Sequence, residues 1–69
     1  MKRTAVIKKL KRAAKDAGLA FEITELTNHT GIRVGSKRST LKRHNEIDDV
    51  TARKFFDQYA DVLGKGWWR

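Results

Sequence analysis

The 69-residue chain contains neither cysteine nor proline. Without thiols, no disulfide can staple a small fold and no thiolate zinc site can form. Two histidines among scattered carboxylates fall short of standard metal-ligand spacing, so no metal and no other cofactor is expected. The lack of proline suits short regular elements and simple turns. No apolar run approaches the roughly 20 residues that span a bilayer. The basic N-terminus also lacks a signal peptide's apolar stretch, because Lys8, Lys9, Lys11 and Arg12 interrupt it. A cytoplasmic protein with no membrane partner is therefore expected. At this length there is room for one core, so a single domain is expected over residues 1–64, with a short tail at 65–69. Its stability must come from one compact apolar layer.

What is present is positive charge, unevenly placed. The net charge is +8, and seven of the sixteen Lys and Arg lie in the first fifteen residues, where there is no acid. Five more, Arg33, Lys37, Arg38, Lys42 and Arg43, again lie in a segment free of acids. All eight carboxylates sit elsewhere, from Asp16 to Asp61. Such segregation makes a local positive field rather than a mixed, salt-bridged surface, and a polyanion is the natural partner.

Residues 4–17 read as a helix, with Val6, Ile7, Leu10, Ala13, Ala14 and Ala17 on one face and Gly18 as its C-terminal cap. Opposite lie Lys8, Lys11, Arg12 and Lys15 at i, i+3, i+4 and i+7, like charges that repel one another. Accepting that repulsion with no interleaved acid points to a bound anion. A membrane-surface helix is the competing reading, but an apolar face made mostly of alanine inserts weakly.

From Leu19 to Leu26 the period becomes two, with Leu19, Phe21 and Ile23 on one side and Glu22 and Thr24 on the other. Asn28 or Gly31 marks the turn region. In the next strand Thr30, Ile32 and Val34 share one side, and His29, Gly31 and Arg33 the other. Gly35-Ser36 suits a two-residue hairpin turn. The segment from Lys37 to Arg43, polar apart from Leu41, reads as an edge strand blunted by its charges. A second helix is expected after Ile47, capped by Asp48 or Asp49, with Ala52, Phe55, Phe56, Tyr59, Val62 and Leu63 on its buried face and Gly64 at its end. The expected fold is α+β in the order α-β-β-β-α, a three-stranded antiparallel sheet with both helices on one face. Trp67 and Trp68 follow a glycine and suit base stacking, docking of a partner, or packing back on the domain.

The two histidines, His29 and His44, fall beside the second basic cluster. Imidazole titrates near neutrality, so a histidine fixed on a strand within a basic field meets the needs of metal-free RNA cleavage. His29 is the candidate base. His44, just before the second helix, is a candidate second acid or base, or a residue that orients that helix. Candidate RNA-binding residues are Lys8, Lys11, Arg12, Lys15, Arg33, Lys37, Arg38, Lys42 and Arg43. Three function classes fit: a ribonuclease, a non-catalytic nucleic-acid binder using the same basic face, and a module that docks on an acidic protein.

The order of short motifs resembles the HicA family of bacterial and phage toxins. The matching residues are Asn28-His29-Thr30, Arg33-Val34-Gly35, Lys42-Arg43-His44-Asn45-Glu46-Ile47 and Thr51-Ala52-Arg53. The resemblance covers nearly the whole chain up to Gly64. It departs from the family at Thr27, where glycine is usual, and at Lys42, where proline is usual. It implies a fold like double-stranded-RNA-binding domains, an mRNA interferase that cuts without a metal, a catalytic histidine at His29, and a HicB-type antitoxin as protein partner.

Overall fold

The computed structural model describes all 69 residues as α1 (Arg3–Asp16), β1 (Phe21–Glu25), β2 (His29–Val34), β3 (Lys37–Lys42), α2 (Asp49–Asp57) and a short α3 (Ala60–Leu63). The radius of gyration, 11.0 Å, is that of a compact chain of this length. The strands form one antiparallel sheet in the order β1-β2-β3. Phe21 pairs with Val34 across β1 and β2, and His29 pairs with Lys42 across β2 and β3. The fold is α+β, with α1 before the sheet and α2 after it, as the change of period implies. No helix is long and apolar enough to cross a membrane.

Alternation along the strands decides which face is covered. Thr30, Ile32, Val34 and Leu41 are buried on one side, against Val6, Leu10 and Ala14 of α1 and Ala52, Phe55, Phe56 and Tyr59 from the C-terminal helices. Glu22, Thr24, Arg38 and Thr40 stand exposed on the other side. Both main helices therefore cover the same sheet face. Ile23 lies on the covered side yet remains 47% exposed, because the helices stop short of the β1 edge there.

Local signals set the element ends. Gly18 takes a positive φ of 70°, and the Leu19 N–H reaches back to the Ala14 carbonyl at 2.8 Å. Together these close α1 in a Schellman-type cap. Gly35, with φ of 59°, makes the two-residue turn between β2 and β3. The β1–β2 turn falls at Thr27-Asn28, closed by the Leu26 N–H on the His29 carbonyl at 2.8 Å; Gly31 lies within β2. Thr27 has no positive φ, so the turn does not require a glycine there.

The second helix is shorter than its apolar periodicity implies. It stops at Asp57, and the chain tightens through Gln58 and Tyr59, whose N–H groups bond to the carbonyls of Phe55 and Phe56 three residues back. No glycine or proline marks the break. The cause is tertiary: Tyr59 is fully buried and its hydroxyl donates to the Ile32 carbonyl on the central strand at 2.8 Å. Burial pushes the Tyr59 phenol up, so it stays a neutral donor throughout the ordinary pH range.

The tail packs back on α2. The Trp67 indole N–H donates to the Phe56 carbonyl at 2.8 Å, and that of Trp68 to the Asp57 carboxylate at 2.8 Å. Trp67 meets the Phe56 ring edge-on at 5.1 Å between centroids. The indoles thus serve carbonyl and carboxylate groups at the C-terminal end of α2.

Tyr59→Phe removes the bond from the C-terminal helices to β2 while keeping the ring. It is expected to lower unfolding free energy by about 1 kcal/mol in urea titration, with the m-value unchanged.

Candidate functional site

Between β3 and α2 lies an open cleft of about 340 Å³. His29 enters it from the start of β2, Thr40 and Lys42 from β3, His44, Glu46 and Asp48 from the connection to α2, Thr51 and Lys54 from α2, and Gln58 from just past its end. Leu41, Ile47 and Phe55 supply its apolar lining. The two histidines, fifteen positions apart in the chain, therefore border one cavity. His29 is half-buried and His44 exposed.

Three features position these groups. Register places His29 opposite Lys42, at the end of the β2–β3 ladder. The connection carrying His44 is tied down by backbone bonds to the start of the chain: the Arg3 N–H to the Asn45 carbonyl at 2.9 Å, and the Ile47 N–H to the Met1 carbonyl at 2.8 Å. Ile47 itself is buried. Finally, Asp48 caps α2, accepting from the Thr51 N–H at 3.1 Å and the Thr51 hydroxyl at 2.6 Å. The Thr51 hydroxyl, followed by its N–H, holds the Asp48 carboxyl below its ordinary value.

The cations proposed as RNA contacts do not form one surface. Lys42 lies in the cleft with both histidines. Lys8, Lys11, Arg12 and Lys15 line a separate groove on the β1 side of the molecule, with Leu19 and Phe21. Arg33 is ion-paired with Glu22 on the open sheet face, where Arg38 also stands. Arg43 bonds to the Leu26 carbonyl and lies 3.4 Å from Glu25. Glu25 is shared with Arg3, at 3.9 Å, whose guanidinium also bonds to the Thr30 hydroxyl. Arg33 and Arg43 are therefore engaged within the fold. Lys37 is half-buried beside the hairpin turn.

Sequence reading missed Lys54, Glu46 and Gln58. Lys54 and Gln58 follow Thr51 at helical spacing, so the polar face of α2 held a signal, but only the packing shows that it faces His29 and His44. Gln58 is further held by the Ser39 hydroxyl. Lys42 and Lys54 enter none of the fold's ion pairs. Their charges formally balance those of Glu46 and Asp48 in the lining. No group of three or more His, Asp or Glu side chains is arranged to hold a metal ion.

The Asp48 cap carries a pH prediction. A carboxyl with a folded-state pKa below its unfolded value contributes stability that is present above the unfolded value and lost as pH falls through the folded one. Asp48→Ala is expected to lower Tm by about 5 °C at pH 7. The gap between variant and wild type should narrow below about pH 4 as the wild-type carboxylate is protonated. Thermal melts across pH 2–7 measure this.

Comparison with protein families, curated proteins and solved structures finds no significant match for this chain.

Proposed function

We propose that the β3–α2 cleft is the active centre of a metal-independent endoribonuclease, a toxin of the mRNA-interferase kind. The observation that carries this reading is the convergence of two imidazoles and two uncommitted ammonium groups on one cavity. Neutral His29 would take the proton from a ribose 2′-OH. The freed oxygen attacks the adjacent phosphorus, the bond to the 5′-oxygen breaks, and that oxygen leaves with a proton supplied by His44. The products are a 2′,3′-cyclic phosphate and a 5′-hydroxyl. General acid–base assistance of this type is worth about 10²–10⁴-fold per group. Lys42 and Lys54 would stabilise the charge that builds on the phosphorane oxygens.

The resemblance to HicA supports the same assignment of His29 and adds a HicB-type antitoxin as the partner that would cover the cleft. The departure at Lys42 then gains a role, since it places a cation directly across the ladder from His29. Because the charges of the lining cancel, the surrounding cations must supply much of the attraction for RNA. Glu46 is the group in the cleft that opposes an anion without serving as a helix cap.

His29→Ala is expected to abolish cleavage of purified RNA and growth inhibition, while leaving fold and RNA affinity nearly intact. Cleavage should persist in EDTA, and a 2′-deoxy substitution at the scissile position should block it. With His44 as the acid, the pH–rate profile is bell-shaped, and His44→Ala loses the alkaline limb. RNA binding without cleavage by wild-type protein would instead identify a non-catalytic binder.

Glu46→Gln should tighten RNA binding a few-fold at low salt, with the gain shrinking as salt rises. Fluorescence anisotropy at two ionic strengths measures this.

A further inference from the structure

The two edges of the sheet are treated differently. β3 carries Lys37, Arg38 and Lys42 and borders the cleft, whereas β1 (Phe-Glu-Ile-Thr-Glu) has no lysine and no proline. No strand pairs with the outer side of β1. The Gly35 N–H bonds to the Ala20 carbonyl, and the Leu26 N–H to the His29 carbonyl. With these ends and the intervening register, Glu22 and Thr24 direct their backbone groups toward β2. Phe21, Ile23 and Glu25 therefore direct theirs outward, an unpaired alternation of N–H and C=O.

Next to this edge runs the groove of about 640 Å³ that holds Lys8, Lys11, Arg12 and Lys15 of α1, with one acid, Asp16. Leu19 and Phe21 contribute the apolar surface of the groove, and Ile23 is half-exposed beyond it. None of these four cations takes part in an ion pair.

We propose that the β1 edge and the α1 cations beside it dock an extended acidic polypeptide segment, which adds to the sheet as a fourth strand. Backbone pairing supplies the register, and acids at alternate positions on the helix side meet the lysines. Charge selects this occupant over a second copy of the chain, because pairing β1 with β1 would set two clusters of α1 cations side by side. It is favoured over nucleic acid by the edge itself. Phosphates offer only acceptors and would leave the outward carbonyls of Phe21 and Ile23 unanswered, whereas a strand satisfies both partners. This site lies apart from the histidine cleft and does not rest on the ribonuclease reading.

The probe is a short capped peptide with Glu at alternate positions and Thr or Val between, added to the full chain and followed by NMR-detected hydrogen exchange and anisotropy. The amides of Phe21, Ile23 and Glu25 should gain at least tenfold protection. N-methylation of the peptide amides that face β1 should weaken binding tenfold or more at unchanged charge. Lys11→Glu with Lys15→Glu should weaken it by a similar factor. Ile23→Glu, a change at an exposed position with the fold checked by circular dichroism, should also weaken it, because it replaces apolar contact with a like charge. The proposal is overturned if the peptide does not bind at millimolar concentration, or if the N-methylated peptide binds as well as its parent. It is equally overturned if β1 pairs with a second copy in sedimentation. A single-stranded RNA that displaces the peptide from the same lysines, with the β1 amides unprotected throughout, would reassign the groove to nucleic acid.

Discussion

The site depends on a join between chain segments far apart in sequence. The backbone of residues 1–3 pairs with that of residues 45–47, through the Arg3 N–H on Asn45 and the Ile47 N–H on Met1. Without that join, the segment between β3 and α2 would be an irregular connection anchored only at its ends. With it, and with Ile47 buried beneath, His44, Glu46 and Asp48 are set along the cleft wall opposite β3. Arg3 strengthens the same corner from below by bonding to the Thr30 hydroxyl and approaching Glu25. One guanidinium thus links the start of α1, the end of β1 and the beginning of β2, next to His29. Its Nε atom is buried without a partner, and both side-chain contacts are made by one terminal nitrogen, Nη2.

Regular structure was legible in the sequence wherever periodicity and a local terminator agreed. The apolar stripe of α1 ending at Gly18, the alternation in β2 and the Gly35-Ser36 turn are such cases. Legibility failed where a distant group decided the outcome. The break after Asp57 has no local marker, because it follows from the hydroxyl of Tyr59 reaching Ile32, 27 positions away. The half-exposure of Ile23 follows from the reach of the helices over β1, which no strand pattern encodes. For the candidate site, both histidines and Lys42 were visible as residue types in a basic field. The convergence of His29 with His44 and Lys54 was not, since it depends on how the 43–48 connection turns onto α2.

Charge shows the same division. Net charge and the exclusion of acids from two segments suggested a local positive field and a basic face. Folding distributes those cations among different tasks. Arg33 and Arg43 meet Glu22 and Glu25, acids drawn from β1 rather than from their own neighbourhood in the chain. Exposed pairs of this sort add little stability, about 0–1 kcal/mol each. Their larger effect is to withdraw two guanidinium groups from any ligand. Lysines left outside these pairs include Lys42 and Lys54 at the cleft and Lys8, Lys11 and Lys15 in the groove beside β1.

That separation constrains any function assigned to the fold. The cleft is lined by residues of β2, β3, α2 and the segments that flank α2, and by none from α1. The α1 cations can raise the local concentration of a polyanion through their field, but that influence decays within about 8–10 Å at physiological salt. The groove that holds the α1 cations shares no lining residue with the cleft. The charge at the cleft is therefore set first by the groups that border it, and the lining carries as many carboxylates as ammonium groups. Two imidazoles, two ammonium groups and two carboxylates thus meet in one small cavity, although the chain segments that carry them are far apart in sequence.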